Sequence, residues 1–284
     1  IGGGSSMDTA KAIGIIITNP EFEDVRSLEG TAPTKNPCVP IIAVPTTAGT
    51  GSEVGWGAVL SNHATNEKIA IFGNPIFPKL AIVDPVLTYT VPPTVTASTG
   101  LDVIAHSLDA MCSVRHNPIS DGLAVRAAKL AFENLETAFK DEKNEEARAN
   151  MAMASNIAGY AFSNTGTTGS HACSYLLTAK YRIPHGEACV LTLDAWFKRA
   201  AKARPELNEL AKMMGFADAD AVADRVTELK KITGMRMTLT EMGVPDTKEA
   251  MDELVEAAAA SGNMINDING VTKAVIEEVY NSRR

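Results

Sequence analysis

Apolar and polar positions change rhythm once along this chain. Over the first third, short apolar runs alternate with turn residues: Pro40 to Val44 (PIIAV), Gly55 to Leu60, Ile69 to Phe72 and Leu80 to Val83. Such runs, bounded by glycine, proline and asparagine, predict β-strands. Met7 to Ile17 predicts a helix leaving a glycine-rich loop, with Asp8 in its first turn. Strands with an intervening helix form an α/β layer. Pro92-Pro93 then breaks the chain, and beyond it apolar residues recur at helical spacing. Helices are expected over Thr94 to Ser113, Ser120 to Phe139, Asn144 to Ser163, Val222 to Thr233, Glu249 to Ser261 and Val271 to Asn281. The expectation is an α/β domain at 1–93 followed by an all-helical domain at 94–284.

Composition adds limits. A chain of 284 residues can bury a large core over two domains. With 45% hydrophobic and 21% charged residues it reads as an ordinary globular protein. The longest apolar run, Ala12 to Thr18, falls far short of the ~20 residues of a membrane span. A net charge of −8 argues against nucleic acid or an anionic membrane as partner. The densest basic stretch, Lys198 to Arg204, reads as a solvated helix face. Cys38, Cys112, Cys173 and Cys189 show no CxxC spacing, so reduced thiols in a cytoplasmic protein are expected.

Three of the five histidines fall into a pattern with one carboxylate. Asp102 and His106, in GLDVIAH, are four apart on a predicted helix and share a face. His171 (TGSHACSY) and His185 (IPHG) lie in two later helical stretches. One carboxylate oxygen and three imidazole nitrogens suit a borderline divalent cation, Fe(II) or Zn(II), with room for a substrate oxygen. His63 reads as a solvated loop residue, His116 as a cation at a helix end, and Asp84 as a cap or turn residue.

Two segments suit a nucleotide. Gly2-Gly3-Gly4-Ser5 precedes a helix, where glycines admit a pyrophosphate to an N-terminus; a flexible linker has the same composition. Pro45-Thr46-Thr47-Ala48-Gly49-Thr50-Gly51-Ser52-Glu53 follows the PIIAV strand, the usual edge of a nucleotide crevice; a tight turn is the plainer account. A glycine-rich phosphate loop ordinarily follows a strand. Here it opens the chain, so a nucleotide domain lacking its first strands is expected.

GGGSSMDTAK, PTTAGTGSE, TGLDVIAH and the His171 and PHG histidines, in this order and spacing, resemble the iron-containing (group III) alcohol dehydrogenases. The resemblance covers essentially the whole chain. It implies a truncated Rossmann-like dinucleotide-binding domain followed by a helical metal-binding domain, the dehydroquinate synthase-like architecture. It implies Asp102, His106, His171 and His185 as ligands of Fe(II) or Zn(II). It further implies Gly3, Gly4, Ser5 and Asp8 at the pyrophosphate, Thr46, Thr47 and Thr50 around the nucleotide, and Lys68 on the cofactor. The reaction implied is reversible hydride transfer between NAD or NADP and a small primary alcohol or aldehyde, in a dimer or larger homo-oligomer. Where many family members carry a further histidine, this chain has Tyr175, so Tyr175 or a relayed water becomes the candidate proton carrier. HACSYLLT followed by PHGEACVLTL is similar to the branch that includes phosphonoacetaldehyde reductases. Two other readings remain open: a dehydroquinate synthase-like lyase, against which the helix from Asp102 to Ser113 offers no lysine or arginine, and a non-catalytic metal-binding or oligomerisation module.

Overall fold

The computed structural model describes residues 1–31, 34–62, 67–73 and 76–284. His63 lies outside the described residues. Helix α1 runs Gly4–Thr18, strand β1 Ile42–Ala43, β2 Gly57–Asn62, β3 Glu67–Phe72 and β4 Leu80–Ala81. β2 and β3 pair antiparallel, with Gly57 opposite Phe72 and Asn62 opposite Glu67. β1 and β4 pair parallel over two residues each. The strands expected over Pro40 to Val44 and Leu80 to Val83 are therefore shorter than their apolar runs. Ile42, Leu80 and Ile82 remain about half exposed, which is unlike a strand covered on both faces. The first helix also differs from expectation. It begins at Gly4, inside the glycine run, which moves Asp8 out of the first turn.

From Pro93 onward the chain is helical: α2 Pro93–Cys112, α3 Pro118–Lys140, α4 Glu145–Thr165, α5 Gly169–Ala179, α6 His185–Ala203, α7 Leu207–Met214, α8 Ala219–Ile232, α9 Lys248–Ala260 and α10 Lys273–Asn281. The short α7 was not expected. α2 is the axis of the bundle and is buried on nearly every side, as a helix apolar all round must be. It packs on α3, α4 and α6. The facing positions are small: Ala124, Ala127, Ala128 and Ala131 from α3, Ala154, Ala158 and Ala161 from α4. Such residues let helix axes approach closely while leaving few voids. Asn117 opens α3 with a reciprocal cap, accepting from Ser120 N–H at 3.1 Å while its own N–H donates to Ser120 Oγ at 2.9 Å. Arg204, expected on a solvated face, is buried and donates to Asp121 and the Met111 carbonyl. A second apolar cluster, with Trp196, Tyr280, Leu177 and Leu254, joins α5, α6, α9 and α10. No helix among the described residues is long and apolar enough to cross a membrane.

Candidate metal centre and cofactor cleft

α2 carries Asp102 and His106 on one face, one turn apart, with His106 Nδ1 3.9 Å from Asp102 Oδ2. α5 brings His171, whose Nε2 lies 3.7 Å from Asp102 Oδ1. α6 begins at His185, and its ring stands edge-on to His171 at 5.5 Å. The close crossing of α6 over α2 depends on Gly186. A Cβ there would lie 1.9 Å from the Ser98 carbonyl oxygen and 3.0 Å from Asp102 Cβ. The glycine of PHG thus lets His185 approach the α2 carboxylate.

Donor atoms of Asp102, His171 and His185 therefore lie within 4.8 Å of one another, although these residues are up to 83 positions apart, and His106 stands beside them with its ring stacked 4.6 Å from that of His171. Asp102, His106 and His171 are at most 6% exposed. Asp102 Oδ1, His106 Nδ1 and His171 Nε2 are buried without a hydrogen-bond partner. Buried polar atoms are ordinarily satisfied, so three orphaned acceptors or donors in one spot call for a further partner. An oxygen and imidazole nitrogens fit a borderline divalent cation, so the residues present suit the metal that the sequence implied.

Electrostatics within the cluster follow from burial and mutual charge. Burial raises the cost of the Asp102 carboxylate, but the imidazoles around it, His106 foremost, hold its pKa below the ordinary range. Burial pushes His106 down to about 4. His171 goes the other way: burial opposes its charged form, but Cys189, the Asp102 carboxylate 3.7 Å away and the hydrogen bond to Asp109 hold it well above the usual imidazole value. Asp109 was not singled out from the sequence. Its Oδ2 lies 2.8 Å from His171 Nδ1 and accepts the Thr168 N–H at 2.8 Å, while Oδ1 accepts Ser170 Oγ–H at 2.9 Å. The available signal was its position, seven residues after Asp102 on the same helix face. Phe162 from α4, stacked on His106 at 4.2 Å, was also missed.

The cluster floors a cavity of about 520 Å³ that reaches the first helix. Gly4, Ser5, Asp8, Thr50 and Lys68 line it, with Tyr175 near the cluster. Gly3 is the N-cap of α1 and packs on Thr47, and a Cβ at Gly4 would strike Thr50 at 2.6 Å. The two glycine-bearing segments therefore lie against each other, joined by Gly2 N–H to the Val44 carbonyl and Thr46 N–H to the Gly2 carbonyl. Thr46 and Thr47 stand beside this junction and do not line the cavity. Both oxygens of Asp8 are engaged, accepting from Ser52 Oγ at 2.5 Å and Val59 N–H at 2.9 Å.

Lys11, one turn on from Asp8, is fully buried and was missed. Its ammonium donates to the Ser52, Gly55 and Gly57 carbonyls and to Ser52 Oγ, at 2.7 to 3.0 Å. Lys68 donates to Ser61 Oγ at 2.9 Å. Tyr175 stacks near His185 at 6.1 Å, and its hydroxyl accepts from Asn263 Nδ2 at 2.6 Å. The opposite wall is tied to the bundle by Trp56 Nε1–H to the Ser163 carbonyl and Asn156 to Glu53. His116 sits 3.3 Å from Asp121, away from the cluster, and Asp84 caps a 3₁₀ turn through Val86 N–H.

Comparison with known proteins follows the same outline. The family described as "Iron-containing alcohol dehydrogenase" matches residues 1–85, and "Fe-containing alcohol dehydrogenase family, C-terminal" matches residues 96–283. Alcohol dehydrogenase 4 of Schizosaccharomyces pombe is 34% identical over 98% of this chain and 67% of its own length. Lactaldehyde reductase of Escherichia coli K12 is 34% identical over 91% of this chain and 69% of its own. The crystal structure of sulfoacetaldehyde reductase from Bifidobacterium kashiwanohense in complex with NAD+ superposes with a TM-score of 0.88, at 41% identity. It covers 100% of this chain, which spans 74% of that one. Matches across both halves decide against the lyase and the non-catalytic module. The chain belongs to the iron-containing alcohol dehydrogenase family, and its activity is metal-dependent, NAD-linked oxidoreduction of alcohols and aldehydes.

Proposed function

We propose that Asp102, His106, His171 and His185 hold the divalent cation, and that a short polar aldehyde and its primary alcohol are the substrates. The observation that carries this reading is the convergence of three unpartnered buried atoms, Asp102 Oδ1, His106 Nδ1 and His171 Nε2, on the floor of the cleft. When bound, Fe(II) or Zn(II) supplies Lewis acidity toward the substrate oxygen, and NAD or NADP supplies or accepts the hydride.

The chain's own residues do the rest. Gly3, Gly4 and Ser5 form an α1 start with no side-chain cap, which suits the cofactor pyrophosphate. Asp8 shapes that end of the cleft through Ser52 and Val59, while Thr46, Thr47 and Thr50 support the same segment. Lys68 faces the cleft and contributes a positive charge toward the cofactor. Trp56, Val59, Leu60 and Phe72 provide apolar wall that excludes water from the reacting groups. Tyr175, oriented by Asn263, delivers or receives the proton at its hydroxyl. Ser163, Thr167 and Asn263 offer hydroxyl and amide groups to a polar substituent on the substrate, as the lactaldehyde and sulfoacetaldehyde substrates of relatives would present. The division at Pro92-Pro93, a dimeric assembly and a cytoplasmic location complete the proposal.

The test is anaerobic reloading of chelated protein with Fe(II) or Zn(II), followed by NADH or NADPH oxidation on lactaldehyde, sulfoacetaldehyde and propanal. Turnover restored by metal and abolished in His185→Ala is the expected result. Stoichiometric metal without cofactor binding or turnover overturns it.

A further inference from the structure

The cluster contains a sulfur that the oxygen–nitrogen quartet leaves out. Cys189 lies one turn after His185 on α6, so the two side chains share a face. It is fully buried, and its Sγ stands 3.7 Å from His185 Nε2 and 3.8 Å from Nδ1. Its Sγ and one donor atom each from Asp102, His171 and His185 all lie within 4.8 Å of one another. Donors bound to a single zinc-sized ion at ~2.0–2.3 Å stand roughly 4 Å apart or less. Movements well under 1 Å at each side chain would close the difference. Two of the neighbouring atoms, Asp102 Oδ1 and His171 Nε2, are buried without a partner. A cation drawn to those two atoms would therefore stand within reach of the thiol, which belongs to the same group of donor atoms.

We propose that Cys189 Sγ is a direct donor to the divalent cation of this centre, which makes the set oxygen, nitrogen and sulfur. The inference rests on the metal-site reading above. On ligation the S–H proton leaves to bulk water as the sulfur–metal bond forms, and no electron is transferred. A thiolate is a soft ligand, so the centre should favour Zn(II) and Co(II) over Mg(II) and Mn(II). None of the other cysteines can substitute. Cys38 packs against α1, Cys112 closes α2, and Cys173 lies beneath Tyr280, whose hydroxyl donates to its carbonyl.

Cobalt substitution of the full chain reads this directly. The chelated protein is titrated with Co(II), and binding stoichiometry and the near-ultraviolet spectrum are followed together. The expected result is one equivalent of bound Co(II) with an intense thiolate-to-cobalt charge-transfer band. In Cys189→Ser the band should vanish while cobalt still binds, with a dissociation constant raised roughly tenfold or more. If serine is not tolerated, Cys189→Ala serves, and the wild-type spectrum stands without either variant. One equivalent of Co(II) with no such band, or a band unchanged by Cys189→Ser, overturns the proposal and leaves the Asp/His₃ site intact. Failure of wild type to bind stoichiometric Co(II), with His185→Ala behaving identically, overturns the metal-site reading itself.

Discussion

Asp109 Oδ2 lies 2.8 Å from His171 Nδ1, and this contact turns the other ring nitrogen toward Asp102, 3.7 Å away. A carboxylate accepting from Nδ1–H fixes the tautomer with its lone pair on Nε2, the atom available to a cation. Asp109 is itself held by Thr168 N–H and Ser170 Oγ–H, so the ring inherits the rigidity of both helices.

Asp109→Asn should therefore weaken metal binding about 10–100-fold without changing its stoichiometry. Isothermal titration of chelated wild type and variant with Zn(II) measures this. Equal affinities would show that His171 needs no such support.

The same pair sets a pH dependence in the chelated protein. His171 has a raised folded pKa, so its stabilising contribution is full below the ordinary value near 6.5 and is lost as pH rises through the folded value. Asp109 has a depressed one, so its contribution is present above about 3.9 and is lost as pH falls through the folded value. His106, held down to about 4, acts oppositely between its two values but is common to both proteins. The difference in urea midpoint between wild type and Asp109→Asn should be largest at about pH 5–6 and shrink on the alkaline side. A difference independent of pH contradicts the pairing.

Gly186→Ala should part α6 from α2. The added methyl would meet a backbone carbonyl at 1.9 Å, which no rotamer change relieves. Overpacking of this kind costs about 1–3 kcal/mol or more, and His185 would move away from Asp102. Lower urea resistance together with loss of stoichiometric Co(II) binding is expected. Retention of both would mean that the helices tolerate the methyl group.

Lys11→Met tests the support of the nucleotide segment. The ammonium satisfies three carbonyls and stands 3.8 Å from Asp8 Oδ1. Its removal leaves buried carbonyls short of a donor and the Asp8 carboxylate without its counter-charge, at a cost of about 1–3 kcal/mol. The surviving enzyme should show a raised KM for NADH with a smaller effect on kcat, since Lys11 lies outside the metal cluster. A kcat loss at unchanged KM would place its influence elsewhere.

Much of the site was legible because its signals are local. Asp102 and His106 announce themselves by a four-residue spacing on one helix, and PHG marks a helix start where a histidine and a glycine both matter. The α2, α3 and α4 spans followed from apolar periodicity, since a strongly periodic segment of some 20 residues leaves little choice of element. The parallel strands were overestimated because Ile42, Leu80 and Ile82 are apolar without being buried, and hydrophobicity alone does not say what covers a strand.

What the sequence determined by itself was therefore the type of each long element and the residue types of the candidate cation site. The tertiary structure alone decided which other polar residues gather around that site and along the cofactor segment. Asp109 and Ser170 are 61 positions apart, Lys11 and Ser52 are 41 apart, and Cys189 meets Asp102 only where α6 crosses α2. Each looks ordinary in its local context. Its role comes from desolvation: once packing excludes water, a polar atom must find a partner across the fold, and only the folded backbone specifies which one is in reach.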